Sequence, residues 1–108
     1  MKVTREYREY ALGQLRAVAP LTAKAMFGGV GIYSGEAFFA LIADDVLYFK
    51  TDEITRGEFV SAGSRAFDPF GKGPMSYYEV PIDVLECEDD LRQWARRAIA
   101  IARKGKKK

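Results

Sequence analysis

The sequence contains no histidine and only one cysteine, Cys87, in its 108 residues. Histidine is the commonest general base near neutral pH, and the usual zinc sites need several histidine or cysteine ligands. Cys87 has no histidine to activate it and no second cysteine for an internal disulfide, which is typical of a reducing compartment. We therefore predict that the protein is not an enzyme and that it holds no metal ion or other cofactor.

Membrane-directed segments are also missing from the sequence. No apolar run approaches the ~20 residues that a helix needs to cross a bilayer. The first residues include Lys2, Arg5, Glu6 and Arg8, where a signal peptide would carry an apolar segment. The sequence thus predicts a cytoplasmic protein without membrane contacts.

Positive charge is unevenly distributed along the chain. All 15 acidic side chains lie within residues 1–102, whereas five of the 17 basic ones lie within residues 103–108. We interpret residues 1–102 as one domain and residues 103–108 as a basic tail. Such a tail either binds phosphates weakly, without sequence preference and with strong salt dependence, or is a solvated terminus without a function. The predicted nucleic-acid contacts are Arg103, Lys104, Lys106, Lys107 and Lys108.

Apolar spacing and turn residues predict eight elements in the order α-β-β-β-α-β-β-α. A helix over residues 5–18, which Thr4 can cap, precedes strands over 22–33, 36–43 and 46–51, with turns at Ser34-Gly35 and Asp44-Asp45. A helix capped by Asp52 or Thr55 then runs to residue 62. A hairpin of strands 65–70 and 75–80, one helical turn over 82–85 and a helix over 88–102 complete the chain. The last helix is predicted to turn an apolar stripe inward, formed by Leu91, Trp94, Ala95, Ala98 and Ala102. Short connections favour antiparallel strands, and helices mainly on one face give a two-layer α+β fold.

Two glycine-rich segments invite comparison with phosphate-binding loops. A working loop of that kind ends in Gly-Lys-Ser/Thr and leads into a helix. Gly28-Gly29-Val30-Gly31 continues instead into strand-like sequence, and Gly71-Lys72-Gly73 lacks both the hydroxyl and the helix. We interpret both segments as structural bends, and we expect the first to bend the strand over residues 22–33.

Several aromatic, glycine and arginine segments follow one another in a specific order. They are Met26-Phe27-Gly28-Gly29, Gly31-Ile32-Tyr33, Phe39-Ala40-Leu41, Leu47-Tyr48-Phe49-Lys50, Phe59, Ala62-Gly63-Ser64, Met75-Ser76-Tyr77-Tyr78, Val80-Pro81 and Trp94-Ala95-Arg96-Arg97-Ala98. In this order and spacing they resemble the TfoX/Sxy N-terminal domain family, over nearly the whole chain up to about residue 102. The resemblance implies the two-layer α+β fold also found in secretion-chaperone-like domains.

The resemblance also implies a regulatory function. Full-length members are bacterial regulators of natural competence that act with the cyclic-AMP receptor protein at a subset of promoters. They carry a second, helical domain after this one. The present sequence ends directly after the last predicted helix, so we expect it to act as a stand-alone N-terminal domain. We predict a non-enzymatic module that binds a protein partner, with the transcription machinery as the expected partner class and a homodimer as a further expectation. The alternative is a small ligand-binding or catalytic domain that uses a cleft beside the glycine bend.

Tyrosines mark the predicted partner-binding surface. Neighbouring residues of a strand point to opposite faces, so one of Tyr77 and Tyr78 should enter the core and the other should lie on the open face or edge of the sheet. A sheet surface with aromatic side chains can dock a protein or stack bases. The predicted contacts are Tyr33, Tyr77 and Tyr78; the alternative is that these side chains are exposed without a function.

Overall fold

The computed structural model describes residues 3–26, 28–68 and 76–106. The elements are α1 Arg5–Arg16, β1 Thr22–Met26, β2 Gly29–Ser34, β3 Ala37–Ala43, β4 Val46–Lys50, α2 Glu53–Ser61, β5 Tyr77–Glu79, α3 Ile82–Leu85 and α4 Glu88–Lys106. The five strands form one antiparallel sheet in the order β1-β2-β3-β4-β5. The predicted α+β class is therefore confirmed.

The first half of the sheet differs from the prediction. Residues 22–33 were expected to form one bent strand, which is wrong: they form β1 and most of β2, paired as a hairpin with Met26 opposite Gly29. Gly28 adopts a φ of 79°, a conformation that glycine reaches without steric cost and that reverses the chain. The glycine run thus contains a turn between two strands.

The predicted strand over residues 65–70 is wrong in its described part. Ala66 forms only an isolated bridge with Tyr78, flanked by backbone hydrogen bonds from Phe67 to Tyr77 and from Glu79 to Arg65. One bridge does not make a ladder, so this segment borders β5 without forming a strand. The predicted turn at residues 71–74 and the start of the following strand at Met75 lie outside the described residues.

The helix ends show which local signals the sequence carries well. Thr4 caps α1 as predicted, and Asp52 and Thr55 form a reciprocal capping box at the start of α2. The predicted helical turn at residues 82–85 is α3. The end predicted for the last helix at Ala102 is wrong, because α4 continues to Lys106. Basic residues are good helix formers, and their charge is favourable at a helix C-terminus.

One face of the sheet carries the main core. Every helix contributes buried residues to it, among them Leu15 of α1, Phe59 of α2, Leu85 of α3 and Ala98 of α4. The predicted inward stripe of α4 is present: Leu91, Ala95, Ala98 and Ala102 are buried, and Trp94 is half-buried. The strands supply Val30, Ile32, Phe39, Ala40, Ile42, Leu47 and Phe49.

A register shift in the sheet explains why Phe39 and Ala40 belong to the same core. Ile32 pairs with Ala40, but the next residue, Tyr33, pairs with Phe38, so Phe39 is an extra residue in β3. This is the pattern of a β-bulge, which changes the alternation of side chains along the bulged strand. Phe38, on the other side of the bulge, therefore lies on the face opposite the helices.

Candidate functional site

The face of the sheet opposite the helices carries a second apolar cluster, which we call the aromatic face. It comprises Phe38, Leu41, Ala43, Tyr48, Tyr77 and Phe67, together with Tyr33, whose ring stacks on Phe38 with centroids 5.0 Å apart. Among the described residues, no helix contributes a side chain to this cluster. The aromatic face is therefore the side of the sheet that the four helices leave uncovered.

Tyr77 of the edge strand β5 has the most buried ring of the aromatic face. Its ring is 5.3 Å from Phe38, and its hydroxyl donates a 3.0 Å hydrogen bond to the Phe38 carbonyl oxygen. Burial raises the pKa of the Tyr77 phenol to about 12, and the neighbouring Tyr33 adds to the effect. The side chain is only 6% exposed. Tyr77 therefore offers little surface to a partner and mainly packs against the neighbouring rings.

Two lysines lie over rings of the aromatic face. The Nζ of Lys24 is 5.1 Å from the Tyr33 ring centroid, and the Nζ of Lys50 is at the same distance from the Tyr77 ring. A cation above an aromatic ring is attracted by the negative potential of the ring face. These lysines thus shield part of an apolar surface while they keep it positively charged.

The three predicted partner-binding tyrosines do not share one surface. Tyr33 and Tyr77 both lie on the aromatic face and contact Phe38. Tyr78 lies on the helix-covered face, where its ring is 6.3 Å from that of Phe59. The alternation expected for Tyr77 and Tyr78 is thus present in β5, and Phe38 and Phe67 are members of the aromatic face that the sequence did not single out.

The glycines of β2 lie against neighbouring groups of the sheet. A Cβ on Gly31 would lie 2.6 Å from the Met26 Cε, and a Cβ on Gly29 would lie 2.5 Å from the Ile42 carbonyl oxygen. Both glycines therefore allow close approach of a neighbouring group.

The predicted nucleic-acid contacts fall at the end of α4. Arg103 and Lys104 are exposed, and one Arg103 guanidinium nitrogen lies 3.5 Å from the Ser34 hydroxyl oxygen. Lys106 is the last residue of the helix. Lys107 and Lys108 lie outside the described residues. Where described, the basic segment is thus helical, and it projects from the end of a packed helix.

A groove that the sequence did not predict lies at one end of the sheet. We call it the acidic groove. It has a volume of about 330 Å³ and is lined by Tyr7 and Tyr10 of α1, Ile82 and Glu86 near α3, and the acidic residues Asp45 and Glu79. Because these residues are up to 79 positions apart in sequence, no local motif joins them. Only the packing of α1 and α3 beside the β3–β4 turn brings them together.

The walls of the acidic groove are fixed by three polar contacts. The Asp45 carboxylate accepts hydrogen bonds from the Thr4 backbone N–H at 2.7 Å and from the Thr4 hydroxyl at 2.9 Å. Asp44 and Asp45 have φ values of 51° and 57°, as in the tight turns of two-residue hairpins. The Gln14 side chain donates to the Leu85 carbonyl oxygen at 2.9 Å. Helix α1 is therefore tied to both the hairpin turn and α3.

The charged side chains among the residues that line the acidic groove, Asp45, Glu79 and Glu86, are all acidic. Burial raises the pKa of the Tyr7 phenol, and the negative charges of Asp45 and Glu79 raise it further, while the Leu47 backbone partly offsets them. Among the described residues that line the groove there is no lysine or arginine. Two exposed apolar side chains stand at its rim: Ile82 is 70% exposed and Tyr10 is 43% exposed.

A third, shallower surface lies between α2 and α4. Ile54 is 82% exposed there, beside Trp94 and Glu58. Glu58 pairs with Arg97, whose guanidinium carbon is 5.3 Å from the Trp94 ring centroid. This pairing joins α2 to α4, so Glu58 and Arg97 are committed to holding the helices together.

In residues 3–26, 28–68 and 76–106, no group of three or more His, Cys, Asp or Glu side chains is placed to hold a metal ion. Cys87 is exposed between α3 and α4. Within the same residues, none of the helices combines the length and apolarity required to cross a bilayer.

The chain matches the model of a known protein family. The model of the family described as the TfoX N-terminal domain matches residues 13–102, which include all five strands together with α2 and α3. No curated protein matches the chain. The matched range includes the whole aromatic face, whereas Tyr7 and Tyr10 of the acidic groove and the basic end of α4 lie outside it.

Proposed function

Because the chain belongs to the TfoX N-terminal domain family, which is a regulatory type of domain family and not a known enzyme family, we propose that it is a non-catalytic regulatory module. In this proposal it acts in the cytoplasm of a bacterium and modulates transcription by binding another protein through the aromatic face. The observation that carries the proposal is the apolar, ring-rich cluster on the side of the sheet that has no described helix against it.

The chemistry of the aromatic face favours a protein partner over nucleic acid. Base stacking needs free ring faces. Tyr33 and Phe38 stack on each other with an interplanar angle of 22°, and Lys24 lies over the Tyr33 ring. Protein interfaces are enriched in aromatic side chains and need no free ring face. The half-buried rings of Tyr33, Phe38, Tyr48 and Phe67 fit a partner that contributes complementary apolar side chains.

Photo-crosslinking tests this proposal directly. A benzophenone amino acid at position 33 places the probe on the aromatic face, and the same probe at position 54 is a matched control on the α2 surface. We expect irradiation in cells to link position 33, but not position 54, to a protein that acts in transcription. The same cells should show altered transcript levels that the Tyr33→Glu variant does not produce.

Other results would change the proposal in defined ways. An adduct of twice 12.1 kDa would identify a second copy as the occupant of the aromatic face, as the expected homodimer requires. Identical adducts from positions 33 and 54, with transcript levels unaffected, would contradict the proposal.

The basic end of α4 adds a weaker contact to this proposal. Arg103 and Lys104 are exposed and are followed by Lys106, Lys107 and Lys108. We propose that they give at most weak, sequence-independent binding to nucleic acid, with any specificity supplied by the protein partner. Deleting residues 103–108 should remove the salt-dependent part of binding to duplex DNA without affecting crosslinking at position 33.

A further inference from the structure

The acidic groove combines two features that neither the family match nor the proposed function explains. Its rim exposes Ile82 and Tyr10 to solvent, in a domain where most large apolar side chains are covered. Its walls carry carboxylates with no basic residue among the described lining residues. Exposed apolar side chains that stand together and are bordered by charge are typical of a site of protein contact.

We propose that the acidic groove docks a short segment of a partner protein in which a lysine or arginine lies next to an apolar residue. The basic side chain would enter between Tyr7, Tyr10 and the carboxylates, and the apolar side chain would cover Ile82. This contact is separate from the aromatic face and does not depend on the function proposed for that face.

The carboxylates argue for a basic group in the segment. Asp45 already accepts two hydrogen bonds from Thr4, so it helps to build the groove. Glu86 is exposed, and among the described residues neither it nor Glu79 forms an ion pair through its carboxylate. A cation between these groups would gain charge-assisted hydrogen bonds, and the tyrosine rings would add cation–π attraction.

The shape of the groove argues for a segment with an apolar residue. At about 330 Å³ the groove is at the small end of the ~300–1,000 Å³ range of sites that enclose a small molecule. Ile82 lines the groove but keeps 70% of its surface exposed. A small cation would leave Ile82 uncovered, whereas a peptide segment reaches the groove and its rim at once. Burial of an exposed isoleucine at the rim would then add affinity.

The test uses a defined peptide, acetyl-Leu-Lys-Ala-Leu-Arg-Lys-amide, and NMR of the full chain. We expect the peptide to shift backbone amide signals of Tyr7, Tyr10, Val46 and Ile82. An otherwise identical peptide with glutamate in place of lysine and arginine should shift none of them. Spermidine serves as the small-cation probe, and we expect it to bind at least about tenfold more weakly, because it lacks the apolar contact.

Two exposed isoleucines provide a matched pair of variants. Ile82→Ser should weaken peptide binding about tenfold, as expected for loss of a buried apolar contact in an interface. Ile54→Ser removes an isoleucine of similar exposure on the α2 surface and should leave peptide binding unchanged. Glu86→Gln should weaken binding about threefold and reduce its salt dependence, because a rim charge contributes modestly to affinity.

Several results would overturn the proposal. Equal loss of binding in Ile82→Ser and Ile54→Ser would mean that the peptide binds without a defined site. Spermidine binding as tightly as the peptide would make the groove a small-cation site. A dimer that dissociates at high salt and in Ile82→Ser would show that the occupant is the basic end of a second copy. Each result is independent of crosslinking at position 33, so the two proposals can fail separately.

Discussion

The two faces of the sheet are built from the same strands but are covered in different ways. On the helix-covered face, Phe39, Ile42 and Phe49 are at most 1% exposed, and all four helices contribute side chains to the cluster around them. On the aromatic face, Phe38 and Tyr48 remain half-buried, and the rings are packed mainly against one another. Similar residue types therefore have different tasks on the two faces.

Under the proposed function, this difference separates the residues that stabilise the fold from those that bind the partner. A side chain enclosed by helices and strands contributes its full transfer free energy to folding. A half-buried ring on the open face has part of that free energy still to gain, and a partner that covers it would supply the remainder. The helix-covered face should thus determine the free energy of unfolding, and the aromatic face should determine binding.

The largest expected effect compares two phenylalanines, one on each face. Phe49→Ala removes a side chain that is 0% exposed and should lower the free energy of unfolding by about 3–5 kcal/mol. Phe38→Ala removes the same atoms from the aromatic face and should cost about half as much, since a half-buried ring has less transfer free energy to lose. Urea denaturation of both variants measures the difference. Equal losses would mean that the aromatic face is as fully packed as the core.

A second comparison uses the glycines of β2, which alternate with the core residues Val30 and Ile32. Gly29→Ala would place its Cβ against the Ile42 carbonyl oxygen, a backbone atom that cannot move away easily. We expect a loss of about 2 kcal/mol, in the range for overpacking. Gly31→Ala meets only the flexible end of Met26 and should cost less than about 1 kcal/mol. Thermal unfolding of the two variants would test whether Gly29→Ala costs more than Gly31→Ala. A larger loss in Gly31→Ala would mean that the Met26 side chain cannot move away from the added methyl group.

These glycines also show how far sequence reasoning reaches. The glycine run was recognised as special, and the fold class, the caps at Thr4 and Asp52 and the inward stripe of α4 were predicted from local patterns. What the run does was predicted wrongly, because a bend and a reversal both use glycine. The choice is made by the pairing of β1 with β2, from Met26 opposite Gly29 to Thr22 opposite Tyr33, and the glycines alone do not distinguish that hairpin from one bent strand.

The candidate sites were predicted less completely, for a similar reason. Alternation in β5 correctly separated Tyr77 from Tyr78. The bulge at Phe39 shifts the alternation of β3 by one residue, so the presence of Phe38 on the aromatic face could not be derived from period two alone. The acidic groove forms where α1, the β3–β4 turn and α3 pack together. These segments are distant in sequence, so no residue spacing predicts the groove.

A smaller effect concerns the hydroxyl that links two strands of the aromatic face. Tyr77→Phe removes the hydrogen bond to the Phe38 carbonyl oxygen and should cost about 1 kcal/mol at neutral pH. The ring itself remains, so packing against Phe38 should be retained. Urea denaturation at pH 7 measures the change, and an unchanged free energy of unfolding would show that water replaces the hydroxyl without cost.

The same variant has a pH signature. The pKa of Tyr77 is raised to about 12 in the folded protein, above the ordinary value of about 10. The folded state thus keeps this proton longer, so the contribution of Tyr77 to stability is complete below pH ~10 and is lost as the pH rises towards about 12. Tyr77→Phe should reduce this alkaline slope. Part of the loss of stability at high pH should remain in this variant, because the pKa values of Tyr7 and Tyr48 are also raised by burial.

The smallest expected change in stability comes from substitution of Lys24, the lysine above Tyr33. This variant tests whether the aromatic face can affect binding without affecting stability. Lys24 is exposed, and its Nζ lies 5.1 Å from the Tyr33 ring centroid, so the cation–π attraction should contribute only about 0.5 kcal/mol. Lys24→Gln should therefore leave the urea midpoint almost unchanged. If the aromatic face binds a partner, the same variant should still alter crosslinking from position 33, because it changes both the charge and the cover of the neighbouring ring.

Lys104→Gln provides a control that removes an exposed lysine at the end of α4. Altered crosslinking in Lys24→Gln alone would show recognition without a matching change in stability; equal behaviour of the two variants would place recognition away from this face.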